Sequence, residues 1–172
     1  DSAEKLERDV RRALERIRKR LEENDRRVEE ILERIRRRLR EDLETSREVL
    51  ERLRKENVRE DEVRDLARRV KENTDRTLEE VKRLIEEAKK HSKDVLDDVK
   101  RDAERLKEEI RRVPVDESVI EKLERLLDEL LEEVKRVVET SEKKLDELLE
   151  EVKRVVEESK KALDDLLREV EK

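Results

Sequence analysis

The one histidine of the chain, His91, stands four residues after Glu87. On a helix that spacing puts an imidazole beside a carboxylate, the start of a metal site or a general-base pair. A carboxylate-bridged metal bundle, however, repeats Glu-x-x-His pairs on several helices and adds further inward glutamates, and no such pair recurs here. With no cysteine, a thiol nucleophile and thiolate-bound zinc or iron–sulfur sites are excluded. Acidic residues are plentiful, but a catalytic carboxylate dyad needs a cleft that raises one pKa. The absence of glycine removes phosphate-cradling loops of the P-loop and dinucleotide types. The basic run at Arg34–Arg40 would suit nucleic acid or an anionic membrane surface. Acids flank it, the net charge is −6, and there is no aromatic residue to stack on a base or anchor at an interface. It reads as a solvated helix face. The expectation is therefore no enzymatic activity, no cofactor, and neither nucleic acid nor membrane as a partner.

Polar residues of a different kind interrupt the apolar stripe itself. In the first third of the chain the stripe runs Val10, Leu14, Ile17, Leu21, Asn24, Val28, and later reaches Ser46 before Leu50 and Leu53. Thr74 and Ser92 interrupt the middle third, and Ser141 and Ser159 the last, each pair 18 residues apart. By distance from the segment centres, Ser46, Thr74 and Ser159 fall at one level and Asn24, Ser92 and Ser141 at another. Two hydrogen-bonded layers crossing the core are expected, because a buried amide or hydroxyl is costly unless paired. Asn73 and His91, beside two of these positions, either support the layers or face solvent. The alternative is that some layer residues lie at the solvated edge of the stripe.

Three long helices must position these residues. Fifty-nine per cent of the residues are charged, yet acids and bases nearly cancel and the apolar positions recur at helical spacing, so the chain is read as folded. The segment KENVREDEV interrupts the periodicity, with Asn57 ending a helix in a left-handed conformation and Asp61 capping the next. In RRVPVDESV, Pro114 breaks a second helix, and Asp116 or Ser118 caps a third, Ser118 reciprocally with Glu121. The helices are placed at about 2–57, 61–112 and 117–172. Such short connections make neighbours antiparallel. The fold class is all-α, an elongated, nearly straight, antiparallel three-helix bundle (up-down-up) forming one domain over 1–172.

Each helix repeats every 18 residues: LERIRKRL and LERIRRRL in the first, LDELLEEVKRVV twice in the third. Eighteen residues make five turns, so the stripe returns to its starting angle, whereas a strict heptad imposes a left-handed supercoil. The stripe of the third helix, Leu127, Leu130, Leu131, Val134, Val137 and Val138, is broad enough to face two neighbours. Charge divides as +2, 0 and −8 over 1–57, 58–112 and 113–172. A basic first helix beside an acidic third favours one arrangement without adding much stability.

These repeats, the Asn57 and PVDES turns, and the isolated Asn/Ser/Thr layers in a core of Leu, Val, Ile and Ala resemble computationally designed helical bundles built from parametric backbones with hydrogen-bond networks. The resemblance spans essentially the whole chain. It implies a stable structural scaffold, a monomer requiring no partner, with no activity, cofactor or catalytic residues to carry over. The other reading is a binding or assembly module, in which self-association or a partner helix uses the broad apolar face of the third helix. No targeting segment or membrane span is read, so a soluble protein is expected.

Overall fold

The computed structural model describes residues 1–55 and 57–171. Glu56 and Lys172, placed above in the first and third helices, lie outside the described residues. The chain folds as three α-helices, α1 (Ser2–Lys55), α2 (Glu60–Arg111) and α3 (Glu117–Glu171), with no strand among the described residues.

The helix ends show where the chain departs from the expected caps. Asp1 begins α1: its carbonyl accepts from Lys5 N at 3.1 Å and its carboxylate from Ala3 N at 3.3 Å, as an N-cap does. In α2 the first backbone bond runs from Val63 N to the Arg59 carbonyl at 3.0 Å. Arg59 therefore holds the cap position and Asp61 lies inside the first turn, where with Glu60 and Glu62 it faces the positive end of the helix dipole. Ser118 is likewise inside the first turn of α3. Asp116 is the cap, its carbonyl accepting from Val119 N at 3.0 Å and Ile120 N at 3.3 Å. α1 stops at Lys55, and the turn expected at Asn57 adjoins Glu56, outside the described residues.

Pro114 acts as its chemistry requires. The last turn of α2 tightens, with Arg112 N donating to Glu109 O and Val113 N to Ile110 O, both at 3.2 Å. Val115 N then donates to Val113 O at 2.9 Å across Pro114, a three-residue turn whose centre suits the fixed φ of proline.

The contacts group into two compact units, Asp1–Glu29 with Ala88–Lys144, and Glu30–Glu87 with the α3 residues from Leu145 on. Each holds a stretch of all three helices. In the first unit, Arg20 pairs with Asp102 and Asn24 with Ser92, so α1 and α2 run oppositely. Lys107–Asp128 and Arg111–Glu124 show the same for α2 and α3, and Glu7–Lys122 joins α1 to α3. Its core is a continuous aliphatic cluster that includes Val10 and Ile17 of α1, Val99 and Ile110 of α2, and Leu123, Leu127 and Val134 of α3. In the second unit, Arg38–Glu80 sets α1 against α2, while Lys71–Asp164 and Asp75–Lys160 set α2 against α3. Ala67, Val70 and Leu163 pack together there, with Val49 and Leu167 against them.

The α1 stripe fares differently in the two units. In the first, Leu6, Val10, Ala13, Leu14, Ile17 and Leu21 are all buried. In the second, Ile31, Leu32 and Ile35 are buried, but from Arg36 to Lys55 no α1 residue is. Leu39, Val49, Leu50 and Leu53 are half-buried and Leu43 is 51% exposed.

Candidate functional site

The first unit brings two of the anticipated polar residues together. Asn24 of α1 and Ser92 of α2 are wholly buried, each at a position where the helical repeat directs the side chain inward. Asn24 Nδ2 donates to Ser92 Oγ at 3.2 Å, and Ser92 Oγ donates to Asn24 Oδ1 at 3.3 Å. The hydroxyl thus sits almost equidistant from both ends of the amide, accepting from one and donating to the other. Ser141 of α3 is half-buried, and none of its atoms enters this exchange. His91 is half-buried next to Ser92, and the pair is formed without it.

The second unit gathers a larger polar cluster around a residue that sequence reasoning passed over. Thr74 of α2 is buried, and its hydroxyl lies 3.4 and 3.3 Å from the two carboxylate oxygens of Asp42 on α1. Asn73 Nδ2 donates to Asp42 Oδ1 at 2.5 Å. Arg38, one turn before Asp42, donates from Nη2 to Asn73 Oδ1 at 3.3 Å and from Nε to Glu80 Oε2 at 3.1 Å. Thr77, also buried, donates to the Asn73 carbonyl at 3.0 Å within its own helix. Ser46 and Ser159 are half-buried and form no hydrogen bond with Thr74. Asp42 sits one helical turn before Ser46, on the edge of the stripe where an acid is ordinarily solvated. The Asp42–Ser46 spacing was the available signal: an acid at i−4 from a stripe serine shares its face.

Burial holds the Asp42 carboxyl above its ordinary range, against the opposing pull of the Thr74 hydroxyl, the Arg38 charge and the Asn73 amide. A carboxyl whose affinity for protons is raised by folding binds them more readily in the native state. Its contribution to stability therefore falls as pH rises through the interval above 3.8, and is recovered on acidification. Asp42→Asn removes that titration. The stability of the parent minus that of the variant, followed by denaturant midpoint, is expected to grow as pH falls into this interval and to be flat at neutral pH. A difference that shrinks on acidification would refute the assignment. Half-exposed ion pairs such as Lys71–Asp164, whose carboxyl is held low chiefly by the lysine hydrogen bond, weaken in acid but cancel in the comparison.

The remaining surface is dominated by charge pairs. Lys107 is held high mainly by its hydrogen bond to Asp128, and Lys160 by that to Asp75. Solvent-facing pairs of this kind contribute about 0–1 kcal/mol each, so their arrangement carries selectivity more than stability. A groove of about 300 Å³ lies between α1 and α2 in the first unit, floored by Ala13, Ile17 and Leu106 and rimmed by arginines, with Arg20 reaching Asp102 at 2.7 Å. Among the described residues, no three His, Cys, Asp or Glu side chains are grouped to hold a metal ion, and no helix is long and apolar enough to cross a membrane.

Fold and contacts together define an antiparallel three-helix bundle. The chain is similar to a solved structure described as a computationally designed three helix bundle, with a TM-score of 0.61 and 15% identity over 98% of this chain and 85% of that one. At this identity the likeness concerns the fold. No protein-family model and no curated protein sequence matches the chain.

Proposed function

We propose that the chain is an idealised structural scaffold with no catalytic role, a monomer in which buried polar contacts select the pairing and register of the helices. The observation that carries this reading is the Asn24–Ser92 exchange, two wholly buried polar side chains that satisfy each other in the otherwise aliphatic core of the first unit. Leucine and valine layers are nearly interchangeable, so a slip of one helix by one or two turns costs little from aliphatic packing alone. A slip that leaves an amide buried without a partner costs about 1–3 kcal/mol. The polar pair thus penalises wrong registers rather than rewarding the right one.

The test replaces both partners, Asn24→Leu with Ser92→Ala, and measures spin-label distances between α1 and α2 together with solution mass. Broadened or multiple distances, or association above 21 kDa, are the expected result. A single unchanged distance at unchanged mass would sink the register role even if stability rose.

A second reading, an assembly module that receives another helix, is favoured by one observation. Leu43 and Val155, each 51% exposed, are large apolar side chains that the three helices leave open to solvent.

A further inference from the structure

We infer that the groove between α1 and α2 in the first unit is a binding site for a small aryl carboxylate, with the rings on its apolar floor and the anionic head between Arg16 and Arg105. The site is independent of the register role of Asn24 and Ser92.

The groove exists because both helices drop a bulky apolar residue at the same place. LERIRKRL at 14–21 recurs as LERIRRRL at 32–39, so Ala13 stands where the next repeat has the buried Ile31. On α2, Val81 and Val99 are one repeat apart, so Asp102 stands where the preceding repeat has the buried Leu84. Ala13 leaves open the space that a longer side chain takes, and Asp102 turns to Arg20 at 2.7 Å. What remains is about 300 Å³ over Ala13, Ile17 and the half-buried Leu106. A cavity of about 150 Å³ holds benzene, so this space takes about two fused rings. Its open side keeps the polar head of a ligand in water.

Charge identifies the head. Arg16, Arg20 and Arg105 line the groove against Asp102 and Glu109, so the lining carries a net charge of +1. Arg20 and Asp102 neutralise each other. Among the described residues neither Arg16 nor Arg105 has an ion-pair partner. The neighbours of Arg16 on its own face are Arg12, Ala13, Lys19 and Arg20, so no acid of α1 compensates it. Arg8, Arg12, Arg16 and Arg20 form an exposed row at every fourth position, in which each adjacent pair repels. One repeat on, Glu30 occupies the place of Arg12 and breaks the row. A bound anion relieves that repulsion. Glu109, one turn from Arg105, opposes a second negative charge, which makes the head a monoanion. A guanidinium both grips a planar carboxylate through paired N–H donors and lies flat on an aromatic face. An aryl carboxylate engages both capacities, and an alkyl carboxylate only the first.

The probe is naphthoate, titrated at constant ionic strength into the isotope-labelled full chain and followed by backbone amide chemical shifts. Amides of residues 13–20 and 102–109 are expected to move together and saturate. A single Kd of about 1 mM is expected, the value that ordinary ligand efficiency gives a molecule of about a dozen heavy atoms. Naphthamide, the neutral counterpart, is expected to bind at least about fivefold more weakly. Arg16→Gln with Arg105→Gln should weaken naphthoate binding by at least about fivefold and leave the circular dichroism unchanged, since both side chains are exposed. Ala13→Ile, which installs the residue of the next repeat, should fill the floor and abolish saturable binding.

Shifts that do not saturate, or that spread over arginines outside the groove, would overturn the site. So would an affinity that the paired arginine substitution leaves unchanged. Equal affinity for naphthamide would overturn the carboxylate head, and binding that survives Ala13→Ile would overturn the apolar floor. Where Ala13→Ile disturbs the fold, the arginine variant and the naphthamide comparison decide the matter by themselves.

Discussion

Leu127→Ala is expected to lower the free energy of unfolding by about 2–5 kcal/mol, and Leu43→Ala to change it by less than about 0.5 kcal/mol. The two leucines have the same chemistry and differ in how far the neighbouring helices cover them. Leu127 is 1% exposed and packs within the aliphatic cluster of the first unit, so its truncation loses both transfer free energy and the contacts of the atoms left lining the cavity. Leu43 is 51% exposed, and water already occupies much of the space that truncation would open. Guanidinium denaturation of each variant, with the slope held against the parent, reads the difference directly. A cost below about 1 kcal/mol for Leu127→Ala would mean that the first unit does not close as described.

The second large effect is an asymmetry between the two halves of the polar pair. Ser92→Ala is expected to cost about 2–3 kcal/mol, because Asn24 is then left with a buried amide whose donor and acceptor both lack partners. Asn24→Leu is expected to cost less than about 1 kcal/mol. It replaces the amide by an apolar group of similar size, and the remaining Ser92 hydroxyl can turn back to the carbonyl one turn earlier in its own helix, as Thr77 already does. The double variant should be as stable as the parent or more so, giving a non-additivity of at least about 2 kcal/mol in the thermodynamic cycle. Additive single-site effects would show that the two residues do not act as a pair. Together with the register measurement, this separates what the pair does for stability from what it does for specificity.

Much of this structure is local in origin, and so was legible along the chain. Apolar residues at helical spacing, strong helix formers elsewhere and no glycine leave little but three helices, and Pro114 stops the second by lacking the N–H that would continue it. The inward direction of Asn24, Ser92 and Thr74 follows from the same periodicity. The caps were harder to place. Several polar residues crowd each turn, and any of them can accept from a free N–H. Which one does so depends on the angle at which the chain enters the helix, so Arg59 and Asp116 hold positions that composition alone would also give to Asp61 and Ser118.

The residues alone determined the type, number and ends of the helices to within a few positions, and which side of each helix is apolar, because these depend on neighbours within one or two turns. Only the tertiary structure decided which polar side chains meet. Asp42 and Arg38 stand at the border of a stripe, where a charge is free in water until another helix brings Thr74, Asn73 and Glu80 against it. It also decided that the α1 stripe is fully covered as far as Ile35 and only partly covered after it. An apolar face records only that something can be buried there. What buries it is set by the distance and direction of other helices, quantities that no periodicity within a single helix contains.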